Sequence, residues 1–242
     1  MLAALLNFRP QPIHFNLSRN VFFAIWFGFL GFFVVMIWSR IRQVKKRTEF
    51  MQQMAMEIGF NFFARIDDSI AAELEGIQTS TASVSSALRF RNVLKGSFRG
   101  GTMVISDCSV RSGNSTSSFT VAAFKFSDPL ASFSIFPEHK ILKWLEKLGF
   151  VDIDLPEAPE FSRCFFLRGP DEAAVRKLFK PAVTQAFEAS TDKALCASSA
   201  KNWLTFHHPT GIIPVENLRD FRQQTEAIAN AFVQGSTFAS HF

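Results

Sequence analysis

The run VFFAIWFGFLGFFVVMIW, residues 21–38, holds no charged or strongly polar side chain, and SRIRQVKKR follows it directly. A helix needs about 20 apolar residues to cross about 30 Å of hydrocarbon. Twelve of these eighteen are Phe, Val, Ile or Leu; together they favour a bilayer by about 4–7 kcal/mol, before a discount for Gly28 and Gly31. A helix in a soluble core shows polar residues at helical spacing, and this one shows none. A signal peptide has a shorter apolar core that ends in small residues. Here Trp38-Ser39-Arg40-Ile41-Arg42 follows, bulky and basic. Residues 21–38 are therefore expected to form an uncleaved transmembrane helix, with Trp38 at headgroup level.

Charge asymmetry sets the expected orientation. Two positive side chains, Arg9 and Arg19, precede the span; Arg40, Arg42, Lys45, Lys46 and Arg47 follow it. The more positive flank stays in the cytoplasm. This places the N-terminal tail outside and residues 39–242 in the cytoplasm, at a bacterial inner membrane. Cys108, Cys164 and Cys196 fit a reducing compartment, being odd in number and widely spaced with no C-x-x-C pair.

A pI near 9.3 raises nucleic-acid binding, and the distribution of charge removes it. Residues 1–47 hold seven Lys and Arg and no acid, while the remaining 195 hold 19 basic and 21 acidic side chains. The basicity belongs to the anchor, where each cation near an anionic leaflet is worth about 1 kcal/mol. The partners expected for Arg40, Arg42, Lys45, Lys46 and Arg47 are thus lipid headgroups. Phe occurs 30 times and Tyr never, so no phenol is available for acid–base or radical chemistry.

Four segments are expected: a tail at 1–20, the span at 21–38, a basic juxtamembrane helix at 39–58, and an α+β domain at 59–242. Phe50, Met54 and Ile58 share one helical face, and Gly59 suits a left-handed cap with Phe60 folding back. QTSTASVSSA, residues 78–87, reads as a loop. NVLKGSFRGGTMVISDCSV, FTVAAFKF and ASFSIF predict an antiparallel meander of about four strands, turning at Gly100-Gly101, at SGNSTSS and at Ser127-Asp128-Pro129. A helix is expected over 138–148, closed by Gly149-Phe150 as Gly59-Phe60 closes the earlier one; that recurrence is a weak sign of duplication. FSRCFFLRG reads as a strand. A helix starts at Pro170 and Asp171, and Pro181 kinks or splits it. KALCASSAKNWLTFHH suggests a hairpin. The last helix carries Leu218, Phe221, Thr225, Ile228 and Phe232 on one face, suited to packing on the sheet. The expected fold is α+β, a largely antiparallel sheet with amphipathic helices packed on it.

Several stretches resemble an uncharacterised family of bacterial single-pass membrane-anchored proteins. They are Asp152-Ile153-Asp154, Phe161-Ser162-Arg163, Phe166-Leu167-Arg168-Gly169 with Asp171, and Val175-Arg176. Asn92-Val93-Leu94 with Gly96, Pro137-Glu138 and the basic juxtamembrane helix also look similar. The resemblance implies this layout and no activity.

The candidate chemical groups are few. Asp152 and Asp154 alternate on an extended segment, so their carboxylates face one way. Such a pair can hold a divalent cation with substrate phosphates, and Arg168 can neutralise an anion; a solvated strand end or structural Asp–Arg pairs is the alternative. His207 and His208 are neighbours on a strand and point apart, which disfavours chelation; His139, at a helix start, has no evident partner, and His14 and His241 lie in the tails. Cys108 beside Asp107, with His207 far along the chain, has the residue types of a nucleophile pair but no signature around it. P-loop, G-x-G-x-x-G, G-x-S-x-G and H-E-x-x-H motifs are missing. Ala24-x-x-x-Gly28 is a small-xxx-small pattern that permits close approach of two spans and a weak homo-oligomer.

The reading this supports is a membrane-anchored cytoplasmic binding or adaptor domain, for a protein partner or a lipid headgroup. The alternative is a membrane-tethered enzyme acting on a phosphorylated substrate, with Asp152 and Asp154 as divalent-metal ligands. A C-terminal fusion to green fluorescent protein should fluoresce and one to alkaline phosphatase should be inactive; the opposite pair of results reverses the orientation.

Overall fold

The computed structural model describes residues 19–79, 88–138, 152–209 and 211–237. The tail 1–18, residues 80–87 of the Ser/Thr-rich loop, the helix expected over 138–148 beyond its first residue, and Gly149-Phe150 lie outside them. So do His14, His139 and His241. The chain divides into two compact units, Met1–Lys46 and Arg47–Phe242.

Helix α1 (Arg19–Ile58) begins in the first unit and ends in the second. Its apolar run is the one helical segment among the described residues long and apolar enough to cross a membrane. Trp26, Phe27 and Val35 are 61–67% exposed, far from the burial of a core helix. The Arg42 guanidinium lies 5.1 Å over the Trp38 ring, one turn away.

In the second unit, Met51, Met54 and Ala55 of α1 are buried, with Phe50 and Ile58 packed at the edge of the same core. The helix closes as its sequence predicts. Gly59 takes φ +71°, its N–H bonds the Met56 carbonyl at 3.3 Å, and the Phe60 N–H reaches back to the Ala55 carbonyl at 2.8 Å. The chain then forms β1 (Asn61–Arg65) and α2 (Asp68–Leu74), whose first turn is capped by the Asp67 carboxylate accepting the Ile70 N–H. Next come β2 (Leu88–Phe98), β3 (Gly101–Ser112), β4 (Ser115–Lys125) and β5 (Phe133–Pro137). Short helix α3 (Pro159–Cys164) leads into β6 (Phe165–Arg168), followed by α4 (Glu172–Leu178) and α5 (Pro181–Ala189). Hairpin β7 (Cys196–Ala200) and β8 (Trp203–His207), one 3-10 turn and α6 (Leu218–Thr237) complete the chain.

The strands form one eight-stranded sheet among the described residues, ordered β1-β2-β3-β4-β8-β7-β5-β6, with every pair antiparallel. The expected meander holds through β4 and then breaks. β8 takes the open edge of β4, from Val121 opposite His207 to Lys125 opposite Trp203, and β5 lies two strands further on. All five residues of β8 are buried, Thr205 and His207 among them, and a strand buried on both faces belongs in a sheet interior. The first hairpin turns at Arg99 (φ +47°) and Gly100 (φ +80°), not at the glycine pair. Gly101 instead starts β3, where a Cβ would stand 2.0 Å from the Lys125 carbonyl oxygen. FSRCFFLRG is a strand only over Phe165–Arg168, because Pro159 opens a helical turn ahead of it. The helix after Pro170 is capped by the Asp171 carboxylate on the Ala174 N–H, and it ends before Pro181 opens α5.

One face of the sheet carries the end of α1 together with α3, α5 and α6. Its centre is a cluster of phenylalanines: the Phe179 ring lies 4.9 Å from Phe133 and 5.7 Å from Phe161 and Phe232. A tyrosine hydroxyl at such a position would need a buried partner. Leu218, Phe221, Thr225, Ile228 and Phe232 of α6 are all buried, so this stripe packs inward as expected. The opposite face is covered by Leu74 and Ile77, with Trp203 beneath them. Gly96 lies against Phe60, two residues past the end of α1, and a Cβ there would sit 2.0 Å from the ring. Gly96→Ala is expected to lower stability by about 1–3 kcal/mol, read by chemical denaturation.

Candidate functional site

Asp152 and Asp154 flank buried Ile153 on an extended segment beside β6. The Ile153 N–H donates to the Leu167 carbonyl at 2.7 Å, and Asp152 Oδ1 accepts the Leu167 N–H at 2.9 Å. This segment covers part of the outer edge of β6, the last strand of the sheet. Burial raises the pKa of the Asp152 carboxyl, an effect opposed by the Leu167 hydrogen bond and reinforced by the Asp154 charge. Arg168 lies with its guanidinium 5.1 Å over the Phe136 ring, and burial lowers its pKa. No group of three His, Cys, Asp or Glu among the described residues is arranged to hold a metal ion.

The other candidate nucleophile and base are core groups. Cys108 is buried, and burial pushes its thiol pKa well up. His207 is 1% exposed, with the Phe119 ring 5.5 Å away. Burial drives its pKa down to about 4, so the imidazole is neutral at physiological pH. His208 instead stands 3.5 Å from the Asp192 carboxylate.

The most constrained polar cluster was not singled out by the sequence. Arg47 Nε and Nη2 grip Asp107 Oδ2 and Oδ1 at 2.7 and 2.6 Å. Nη2 also donates to Thr120 Oγ1 at 3.0 Å, and Nη1 donates to the Ile213 carbonyl at 2.6 Å. Thr120 accepts the Ile213 N–H and donates to Asp107, and Asn92 Nδ2 donates to Asp107 as well. The Arg47 and Asp107 side chains are only 13% and 10% exposed. This corrects the expectation that Arg47 meets lipid headgroups: an aspartate inside the sheet demands a countercharge, and Arg47 supplies it. Arg40, Arg42, Lys45 and Lys46 remain exposed. The available signal was Asp107 itself, a lone acid in the apolar run MVISDCSV.

Clefts open among the described residues of the second unit. The first, about 340 Å³, lies among the β2–β3 turn, the β4–β5 loop, α4 and α6. Phe98, Phe126, Leu130 and Leu178 supply apolar wall, and the charged lining is Arg99, Lys125, Lys177 and Lys180 with a single acid, Asp128. The second, about 510 Å³, is more polar, with Asp192, His208, Asp220 and Gln224 around Ile213.

Asp107→Ala leaves the Arg47 guanidinium buried without a countercharge, so denaturation should show a loss of about 3–5 kcal/mol. The double change Arg47→Met with Asp107→Leu should recover most of that loss, because no lone charge remains. His207 gives an acid limb to stability. Below pH 6.5 the unfolded chain binds a proton that the folded chain refuses until about pH 4. Stability should therefore fall by about 3 kcal/mol as pH drops through that window, and His207→Gln should flatten the limb.

No protein-family model matches the chain, and no curated protein matches it in sequence. Among solved structures, the chain is similar to the crystal structure of the mycobacterial trehalose monomycolate transport factor A, TtfA. The TM-score is 0.53 at 14% identity, over 78% of this chain and 95% of that one. At that identity the likeness is one of fold.

Proposed function

We propose that this chain is a membrane-anchored binding or adaptor domain with a lipid-related role. In this reading Val21–Trp38 crosses an inner membrane, residues 1–20 are outside, and residues 39–242 lie in the cytoplasm. The observation that carries it is helix α1, which holds both the apolar run and, in its last turns, core residues of the folded domain. The exposed Arg40, Arg42, Lys45 and Lys46 fit anionic headgroups. The fold likeness to a lipid transport factor supports a lipid-related role, and the resemblance to bacterial single-pass proteins supports the anchored layout. A binding role is favoured over catalysis because Asp152 is engaged with β6 and Cys108 and His207 are enclosed in the core.

Membrane retention tests this. The full-length chain should stay in the membrane pellet through high salt and alkaline carbonate, and a chain lacking residues 21–38 should appear in the supernatant. Extraction of the full-length chain by carbonate would contradict the anchor.

A further inference from the structure

We propose that the 340 Å³ cleft beside the β2–β3 turn seats the acyl chain of an anionic single-chain amphiphile. This rests on reading the domain as a binding module at a membrane, and it names the ligand class.

Charge is the first argument. The chain beyond residue 47 has 19 basic and 21 acidic side chains, yet four cations, Arg99, Lys125, Lys177 and Lys180, and one acid, Asp128, line this cleft. Lys177 is exposed, and its ammonium has no partner among the described residues. Arg99 is positioned by its turn: with φ +47° its Nε donates to Asn230 Oδ1 at 2.9 Å, leaving its two Nη groups for an anion. A cation partly fixed in advance loses less freedom on binding.

Shape and polarity are the second argument. Phe98, Phe126, Leu130 and Leu178 are each only partly buried and pack on the main core, so the walls are anchored from behind. Phe98 is held edge-on by Phe124 at 4.7 Å. A free inorganic anion gains nothing from these walls, whereas an alkyl chain is stabilised in proportion to the apolar surface it withdraws from water. Small-molecule sites run from roughly 300 to 1,000 Å³, so this volume, at the low end, takes part of one chain and not two, with the headgroup at the open mouth. Apolar walls with few convergent polar groups are the usual make-up of such sites.

The test uses the full-length protein in phosphatidylcholine nanodiscs, doped with a diazirine-bearing palmitoyl lysophosphatidic acid. The lysophosphatidylcholine analogue is the control, and adducts are mapped by peptide mass spectrometry. The anionic probe should label residues 98–101, 126–131 or 174–178, and the zwitterionic probe should not. Lys177→Glu should lower that yield about fivefold, and Ala174→Trp, which fills the cleft, should abolish it. If Ala174→Trp fails to fold, Lys177→Glu decides, since it alters an exposed side chain. Equal labelling by both probes, adducts confined to residues 21–38, or yields unmoved by Lys177→Glu would overturn the proposal. Displacement by soluble glycerol 3-phosphate would overturn it too, because it would show a headgroup site without a chain. Such a failure with membrane retention intact leaves the anchored binding domain standing, whereas loss of retention strikes that reading itself.

Discussion

Arg47 is drawn out of water by acceptors from three separate parts of the chain: Asp107 on β3, Thr120 on β4 and the Ile213 carbonyl ahead of α6. Burying either charge alone costs several kcal/mol, so the pair persists only where its hydrogen bonds are completed. Here Asn92 and Thr120 complete them. The pairing also fixes which side of α1 faces the sheet. Met51, Met54, Ala55 and Ile58 follow Arg47 at four, seven, eight and eleven residues, on one helical face. Met51, Met54 and Ala55 are buried against the sheet, and Ile58 packs at the core's edge. The last turns of α1 are thus core, and the Schellman closure at Gly59 delivers Phe60 against Gly96 and starts β1. The ion pair, the apolar face and the cap select the same placement.

Local signals were legible where one interaction decides the outcome. The left-handed cap at Gly59, the Asp171 start, the break at Pro181 and the buried stripe of α6 each follow from a side chain acting on its own neighbourhood. Strand order did not, because the edge of β4 is claimed by β8 from 78 to 86 residues away, and periodicity carries no record of which edge a strand seeks. The α3 turn was missed because its apolar Phe161, just ahead of the strand residues Phe165 and Phe166, reads equally well in a strand. Arg47 was misplaced for a related reason. It closes a run of cations and reads as one of them, although its spacing to Met51 and Met54 puts it on the buried face. Of the candidate sites, the Asp152 and Asp154 pair was visible as residue types, while its engagement with Leu167 depends on β6 lying at the sheet edge. The cleft at Arg99 and Lys177 joins four segments distant in sequence, so no local pattern points to it.

Function follows from what this architecture leaves outward. The buried groups with chemical potential are spent on structure: Asp107 on Arg47, His207 and Cys108 on the apolar layer around Phe119. Among the described residues, the exposed features include an apolar helical run, the four cations Arg40, Arg42, Lys45 and Lys46 that follow it, and a cleft with apolar walls and a cationic mouth. The proposed contact with amphiphiles rests on these features. A reaction centre needs polar groups converging on a reacting atom.

The central physical claim is that the end of α1 belongs to the folded domain because Arg47 and Asp107 hold it there. Hydrogen exchange on the full-length protein tests it most directly. Amides of residues 51–58 are expected to exchange as slowly as those of β3 and β4, in one cooperative unit. Rapid exchange at 51–58 while β3 and β4 remain protected would contradict the account, showing a helix end that opens independently of the sheet.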